Sequence, residues 1–226
     1  MQQIKVYDIS RTYEMGMPQS MSLPRFAAWP CSSQEWGDRV NCNAVLLAEH
    51  VGSHCDAPYH LFKDGKKINE LPVDAFIGPG LMLNFLGIED QAIIHEKDIK
   101  RCESQQKLQI EEGNIILFHT GFDDKHWGST PSNVKIQKDR PTISEDAAYY
   151  LISKKVKAIG MDTGSPDITG TCLPIHQILL SANVLIIESL CHLEQLPEKD
   201  FLFVALPLNI KGGSGSPVRA CAFVFE

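Results

Sequence analysis

Short apolar runs rich in β-branched and aromatic residues alternate with polar stretches along this 226-residue chain. Such runs predict β-strands, because β-branched and aromatic side chains pack well on a pleated sheet. The predicted strands are Ile4–Ile9, Asn43–Ala48, Leu81–Leu86, Asn114–His119, Val156–Met161, Asn183–Glu188, Phe201–Leu206 and Val218–Phe225. Two helices are predicted, one over Asp146–Lys155 behind the capping residues Thr142–Glu145, and one from Pro174 to about Ala182.

The order of these elements indicates a mixed α/β fold. From residue 142 onward the order is helix, strand, helix, strand, strand, strand, which favours a mixed sheet with helices packed outside it. No internal repeat or linker-like change in composition interrupts the chain, so we expect one domain over residues 1–226. The polar stretch Gly121–Pro141 lacks periodicity, and we interpret it as a lid, a dimer arm or a plain surface loop.

The net charge, the apolar runs and the cysteine pattern limit which partners and which cellular compartment we expect. Acidic residues outnumber basic ones by 28 to 21, giving a formal charge of −7 that argues against nucleic acid. The longest apolar runs, such as Phe201–Leu208, are less than half of a bilayer span, and Met1–Lys5 lacks the layout of a secretory signal. The seven cysteines are scattered and never spaced C-x-x-C, which indicates reduced thiols. We therefore expect a cytoplasmic protein that binds neither nucleic acid nor membrane.

Four side chains of metal-binding type lie within eleven residues: His50, His54, Asp56 and His60. All occupy even positions, which share one face of an extended chain. A straight strand at about 3.3 Å per residue would hold His50 and Asp56 roughly 20 Å apart, so we expect a bend at Gly52–Ser53. Crowding three imidazoles and a carboxylate is costly unless a cation joins them. The segment therefore predicts a divalent metal site.

Two residues far along the chain are candidates to complete this site. Glu188 ends an apolar predicted strand, where a buried carboxylate needs a partner, and His176 stands at the start of the preceding helix. Cys55, at an odd position, is expected to point away from the metal. We interpret the Asp162–Asp167 turn as a pocket wall or a capped turn, and the glycine-rich Lys211–Gly215 segment as a flexible connection near the site.

The cluster resembles the signature H-x-G-T-H-x-D-x-P-x-H of the cyclase-family metal-dependent hydrolases, which include bacterial kynurenine formamidase and isatin hydrolase. Here the stretch from His50 to His60 is HVGSHCDAPYH, with Ser53 in place of threonine. Further similarity runs through nearly the whole chain, at residues 7–10, 64–65, 73–79, 160–163, 205–208 and 216–220. The resemblance implies a swivelling β/α/β-type fold, in which a mixed sheet with barrel-like curvature has helices packed outside it.

The resemblance also implies roles for individual residues. A first metal would be bound by His50, His54 and Asp56, and a second by His176, with Asp56 and Glu188 bridging the two. The catalytic acid/base would be His60. Formamidase-like members hold two zinc ions and isatin hydrolase-like members one manganese, so we expect two Zn²⁺, with Mn²⁺ as the alternative. Family members often assemble, which implies a homodimer or a larger homo-oligomer.

Such a site predicts hydrolysis of an amide, formamide, lactam or lactone bond in a small-molecule substrate. A divalent metal lowers the pKa of bound water to about 7, so a metal-bound hydroxide would attack the carbonyl while His60 protonates the leaving nitrogen or oxygen. In one departure, Met17–Met21 stands where formamidases carry a Trp-Pro-Gly-Asp stretch. This departure argues against N-formylkynurenine as the substrate and leaves Trp29 or Trp36 as candidates to replace the missing tryptophan.

Two other interpretations of the ligand set stay open. A non-haem iron oxygenase would use His54, Asp56 and His176 as its two-histidine, one-carboxylate triad, but this leaves His50 and Glu188 unexplained. A non-catalytic metal-binding paralogue would keep all the ligands, bind metal and turn over no amide, lactam or ester.

Overall fold

The computed structural model describes residues 3–127, 138–170 and 172–225. Within these residues the strands are β1 (Ile4–Asp8), β2 (Ala27–Ser32), β3 (Cys42–Leu46), β4 (His54–Asp56), β5 (Ile77–Asn84), β6 (Ile93–Ile94), β7 (Ile115–His119), β8 (Thr142–Ile143), β9 (Ala158–Met161), β10 (Leu185–Glu188), β11 (Phe201–Val204), β12 (Gly215–Pro217) and β13 (Cys221–Phe225). The α-helices are α1 (Glu96–Gln106), α2 (Phe122–His126), α3 (Glu145–Ser153) and α4 (Pro174–Ser181). Among the described residues, none of the helices is long and apolar enough to span a bilayer.

One curled, half-barrel sheet contains nine of these strands, in the order β1-β13-β11-β5-β7-β9-β10-β4-β12. Strands β5, β7, β9 and β10 run parallel to one another, and the strands on either side pair antiparallel. Parallel neighbours need long crossover connections, and these contain α1, α3 and α4. This arrangement confirms the mixed α/β fold predicted from the order of elements.

The sheet buries a hydrophobic core on each face, because adjacent residues of a strand point to opposite sides. In β7, Phe118 belongs to the core that also contains Leu151 of α3. Its neighbour Leu117 belongs to the other core, together with Phe203 of β11. Both faces of the central strands are packed. A shift of one residue along a strand would turn every side chain to the opposite face of the sheet, so the strand register is strongly fixed.

All eight predicted strands occur with their ends displaced by a few residues, and the two predicted helices correspond to α3 and α4. Strands β4, β6, β8 and β12 were not predicted because they have only two or three residues, and β2 was not predicted because Pro30 interrupts it. Helix α1 was also missed, since only Ile99, Cys102 and Glu103 are buried in an otherwise polar sequence. The predicted loop Gly121–Pro141 begins with α2, and residues 128–137 of it lie outside the described residues.

Strand β4 brings the candidate metal-binding residues into the main sheet. It lies between β10 and β12 and pairs antiparallel with both, with His54 opposite Glu188 and Asp56 opposite Gly215. The extended backbone keeps His54 and Asp56 on one face, while Cys55 is buried in the core on the other face. The site therefore lies on one face of this end of the sheet.

Candidate metal centre

The chain bends immediately before β4, where the sequence predicted a bend. Gly52 has a φ of +60°, a conformation that favours glycine. A Cβ atom at Gly52 would also lie 2.9 Å from the ring of Tyr13, whose hydroxyl lies 3.0 Å from the carbonyl oxygen of Ser53. The bend turns His50 back along the strand, and its Nδ1 atom lies 2.6 Å from Oδ1 of Asp56.

Two carboxylates on neighbouring antiparallel strands face the same histidine. The Nε2 atom of His54 lies 3.4 Å from Oε2 of Glu188 and 3.7 Å from Oδ1 of Asp56. Among the described residues, ligand atoms of these three side chains all lie within 4.8 Å of one another. All three residues are buried. Such a compact set of imidazole and carboxylate donors fits a divalent cation.

Helix α4 adds a further imidazole to the same point. The Nε2 atom of His176 lies 3.2 Å from Oδ2 of Asp56 and 3.2 Å from Oε1 of Glu188. Both of these carboxylate oxygens are buried, and in the described part of the chain neither accepts a hydrogen bond. Buried carboxylate oxygens without donors are costly, and a cation would offset this cost. The donor set and its two unpaired oxygens therefore fit a metal.

Hydrogen bonds orient two of the histidines. Nδ1 of His54 donates to the carbonyl oxygen of Gly52 at 2.8 Å, which leaves Nε2 towards the carboxylates. Nδ1 of His176 lies 2.5 Å from Oδ2 of Asp167, which likewise leaves Nε2 available. Asp167 also accepts the backbone N–H groups of Ile175 and His176, at 2.8 Å and 3.0 Å. Such partners fix the tautomer and orientation of a ligating histidine.

The carboxylates and imidazoles of the cluster stabilise one another's charged forms. Burial alone would raise the pKa of Asp56, but the neighbouring imidazoles of His176 and His50 outweigh it and hold that pKa well below its usual range. Burial alone would lower the pKa of His176, but Asp167 and the other carboxylates raise it well above the usual value. Asp56 therefore stays ionised, as a cation ligand must.

His60 lies beside this cluster, on the short 3₁₀ turn Pro58–His60 that follows β4. Its ring centroid is 4.0 Å from that of His50 and 6.0 Å from that of His176. His60 also forms a compact group of candidate ligands with His50 and Asp56. Burial lowers the pKa of its imidazole, although Asp56 acts in the opposite direction. The site geometry is compatible with both proton transfer and ligation, and the acid/base role of His60 stays a prediction.

A cavity of about 370 Å³ opens onto the cluster. Its apolar lining includes Leu23, Trp127, Ile168 and Leu173. Trp127 was missed from the sequence, and the guanidinium of Arg11 lies 4.5 Å from its ring centroid. The candidate replacements for the missing tryptophan lie elsewhere, since the side chains of Trp29 and Trp36 are exposed and do not line the described cavity.

One further acidic residue lines the cavity. Asp123 in α2 is fully buried, and in the described residues neither of its carboxylate oxygens accepts a hydrogen bond. Burial raises its pKa well above the usual value, and the charges of Asp162 and Asp124 act in the same direction. Arg11 and Arg140 oppose this increase but do not outweigh it. Burial therefore shifts the equilibrium of Asp123 towards its protonated form.

Comparison with known proteins identifies the family. A family model described as a putative cyclase matches residues 7–168. The chain belongs to the cyclase family. This cyclase-family chain is 30% identical over 193 residues to a kynurenine formamidase of Salinibacter ruber, covering 85% of this chain and 84% of the relative. It is 27% identical over 217 residues to a kynurenine formamidase of Delftia acidovorans, covering 96% of each.

Solved structures give the same family. An isatin hydrolase bound to the product analogue thioisatinate superposes with a TM-score of 0.89 and 25% identity, covering 99% of this chain and 93% of that one. Isatin hydrolase A of Labrenzia aggregata, bound to benzyl benzoate, gives a TM-score of 0.88 and 25% identity, with coverage of 99% and 94%. The prediction of a cyclase-family metal-dependent hydrolase is confirmed.

Proposed function

We propose that this cyclase-family protein hydrolyses an amide, formamide, lactam or lactone bond of a small molecule. The observation that carries the proposal is that Nε2 of the buried His176 lies 3.2 Å from one oxygen of Asp56 and one of Glu188, and neither oxygen accepts a hydrogen bond among the described residues. The names of the relatives, kynurenine formamidase and isatin hydrolase, support a C–N bond as the target.

The proposed centre holds two zinc ions, with manganese as the alternative. His50, His54 and Asp56 would hold the first ion and His176 the second, with Asp56 and Glu188 contributing to both. When bound, a divalent metal polarises a carbonyl and lowers the pKa of water to about 7. The buried histidines and carboxylates would orient the metal, and their burial strengthens the electrostatic interactions among them.

His60 is the proposed acid/base. Its imidazole lies at the edge of the cluster, half-buried, with its ring tilted by 34° against that of His50. Burial lowers the pKa of His60, which favours its neutral imidazole, so a ring nitrogen can accept a proton from the attacking water. It then passes that proton to the leaving nitrogen or oxygen of the substrate.

The cavity favours a compact substrate with an apolar ring. Its volume of about 370 Å³ lies at the small end of ligand pockets. Trp127 and Leu173 supply apolar surface, while the imidazoles provide the polar end. We therefore propose a small cyclic or aryl amide, formamide or lactam.

The experiment compares wild type with His60→Ala after reconstitution with Zn²⁺ or Mn²⁺, using formanilides, isatin-like lactams and lactones. If His60 moves protons, the variant keeps its metal, measured by elemental analysis, and loses roughly 10²–10⁴-fold in kcat. A loss of metal would instead make His60 a ligand. The matched control is His192→Asn, because His192 is exposed and its positive φ suits asparagine.

Wild-type behaviour in the same assay tests the function itself. Metal binding without turnover of any substrate would contradict the proposed hydrolysis and favour a non-catalytic metal-binding protein. Bound iron with oxygen consumption on adding 2-oxoglutarate would favour an oxygenase.

We also propose that the protein is a cytoplasmic homodimer. Strands β2 and β3 form a two-stranded sheet apart from the main one, and the side chains of Trp29, Val45 and Leu46 on it are about half exposed. An isolated hairpin of this kind is only marginally stable in water, so a second copy is proposed to cover it. The mass in solution, by light scattering, tests this.

All seven cysteines are unpaired, which supports a reducing compartment.

A further inference from the structure

The glycine-rich segment before β12 lies directly behind His50. Nε2 of His50 is 2.8 Å from the hydroxyl oxygen of Ser214. That hydroxyl donates to Oε2 of Glu49 at 2.7 Å, and the backbone N–H of Ser214 donates to the same oxygen at 3.0 Å. Glu49, Ser214 and His50 therefore form a continuous hydrogen-bonded chain that ends at Asp56, 2.6 Å from Nδ1 of His50.

The chain of hydrogen bonds has a defined direction. A carboxylate only accepts hydrogen bonds, so the single hydroxyl hydrogen of Ser214 is committed to Glu49. The oxygen of Ser214 must then accept from His50, which places a hydrogen on Nε2. Nδ1 of His50 is left facing Asp56, with which it can share a proton or a cation. His54 and His176 have the opposite arrangement, with Nδ1 hydrogen-bonded to protein and Nε2 available.

Close approach on both sides explains why Ser214 lies between two glycines. A Cβ atom at Gly213 would lie 2.8 Å from Oε1 of Glu49. A Cβ atom at Gly215 would lie 2.5 Å from Cε1 of His50. Both distances are shorter than real Cβ contacts, so any larger residue would push Glu49 or His50 out of position. The glycines are therefore needed for the chain of hydrogen bonds to form.

We propose that Glu49 and Ser214 are positioning residues that hold His50 with Nδ1, not Nε2, as its metal-binding atom. The proposal rests on the metal centre of the proposed function but not on its substrate. The Lys211–Gly215 segment, interpreted from sequence as a flexible connection, thereby gains a specific role in metal binding.

The first test measures Zn²⁺ affinity by competition with a chromophoric chelator. Ser214→Ala and Glu49→Ala are expected to weaken binding roughly 10–100-fold, the usual effect of removing a partner of a ligating histidine. Glu49→Gln keeps an acceptor oxygen and is expected to lose less. Ser153→Ala is the matched control, because Ser153 is an exposed serine at the end of α3 whose hydroxyl donates to the nearby carbonyl oxygen of Tyr150.

The second test reads the tautomer directly. Long-range ¹H–¹⁵N spectra of the zinc-loaded wild type should show His50 protonated at Nε2, and His54 and His176 protonated at Nδ1. Unchanged Zn²⁺ affinity in both alanine variants, or a proton on Nδ1 of His50, would overturn the inference. Failure of the wild type to bind metal would overturn both proposals, whereas normal affinities and tautomers without turnover would remove only the proposed hydrolysis.

Discussion

Gly65→Ala is expected to displace His60 without touching it. Gly65 lies against the backbone of the turn Pro58–His60, and its N–H donates to the carbonyl oxygen of Phe62 at 2.8 Å. Its φ is not in the left-handed region, so alanine is acceptable to the backbone itself. The effect of the substitution is therefore purely steric.

The size of the displacement follows from the structure. The new Cβ atom would lie 2.5 Å from the carbonyl carbon of Pro58, 2.6 Å from its oxygen and 2.7 Å from the nitrogen of Tyr59, whereas ordinary contact begins at 3.4 Å. All three are backbone atoms, so no side chain can rotate away, and the turn must move by about 3.4 − 2.5 = 0.9 Å. Overpacking of this kind costs about 1–3 kcal/mol. A misplacement of about 1 Å can cost roughly 10²-fold in rate.

The assay combines urea unfolding with turnover and metal content of the zinc-loaded protein. Gly65→Ala should lower the free energy of unfolding by about 1–3 kcal/mol and reduce kcat roughly 10²-fold. Metal content should stay near that of wild type, because the substitution acts on the turn and not on β4. Gly164→Ala is the control for stability, since its nearest contact would be an ordinary 3.6 Å to the Ser189 hydroxyl oxygen. Wild-type stability and kcat in Gly65→Ala would refute the reasoning.

Two further predictions concern buried polar groups. Because burial raises the folded-state pKa of Asp123 above its unfolded value, the native state binds the proton more tightly, and the contribution of Asp123 to stability should fall as pH rises from about 4. Asp123→Asn should remove this decline, so equal pH slopes in urea unfolding would contradict the prediction. Ser53→Ala should cost about 1–3 kcal/mol, because the buried Ser53 hydroxyl donates to the Ser189 carbonyl oxygen at 2.7 Å and accepts the Arg11 N–H at 2.8 Å. Ser53→Thr keeps the hydroxyl, so an equal loss in both variants would show that these bonds are not responsible.

The local part of the candidate site was predictable from the sequence. Because His54 and Asp56 are two residues apart, an extended backbone places both side chains on the same face. Strand β4 is extended. The bend at Gly52 was predictable because a straight strand could not bring His50 near Asp56. What spacing could not indicate is that β4 is only three residues long and held between two other strands.

The residues that contact the candidate metal ligands, and so orient them, were not predictable from the sequence. Asp167 and Ser214 lie far from the signature in sequence, and their importance depends on which ring nitrogen each meets. Trp127 was missed for a similar reason, because it follows a short helix inside a polar stretch without periodicity. No local pattern marks a residue whose role arises only when distant strands and loops meet.

The sequence by itself determined the class of the protein: apolar runs of strand length specify the layers of the sheet, and one dense cluster of donor side chains specifies metal chemistry. These features are local, because side-chain direction along a strand and donor type depend only on neighbouring residues. Tertiary structure alone decided that Glu188 faces His54 across a strand pair, and that His176 lies 3.2 Å from two buried carboxylate oxygens. The physical reason is that packing of both faces of the sheet fixes the register between β4 and β10, and this register sets the distances on which the proposed chemistry depends.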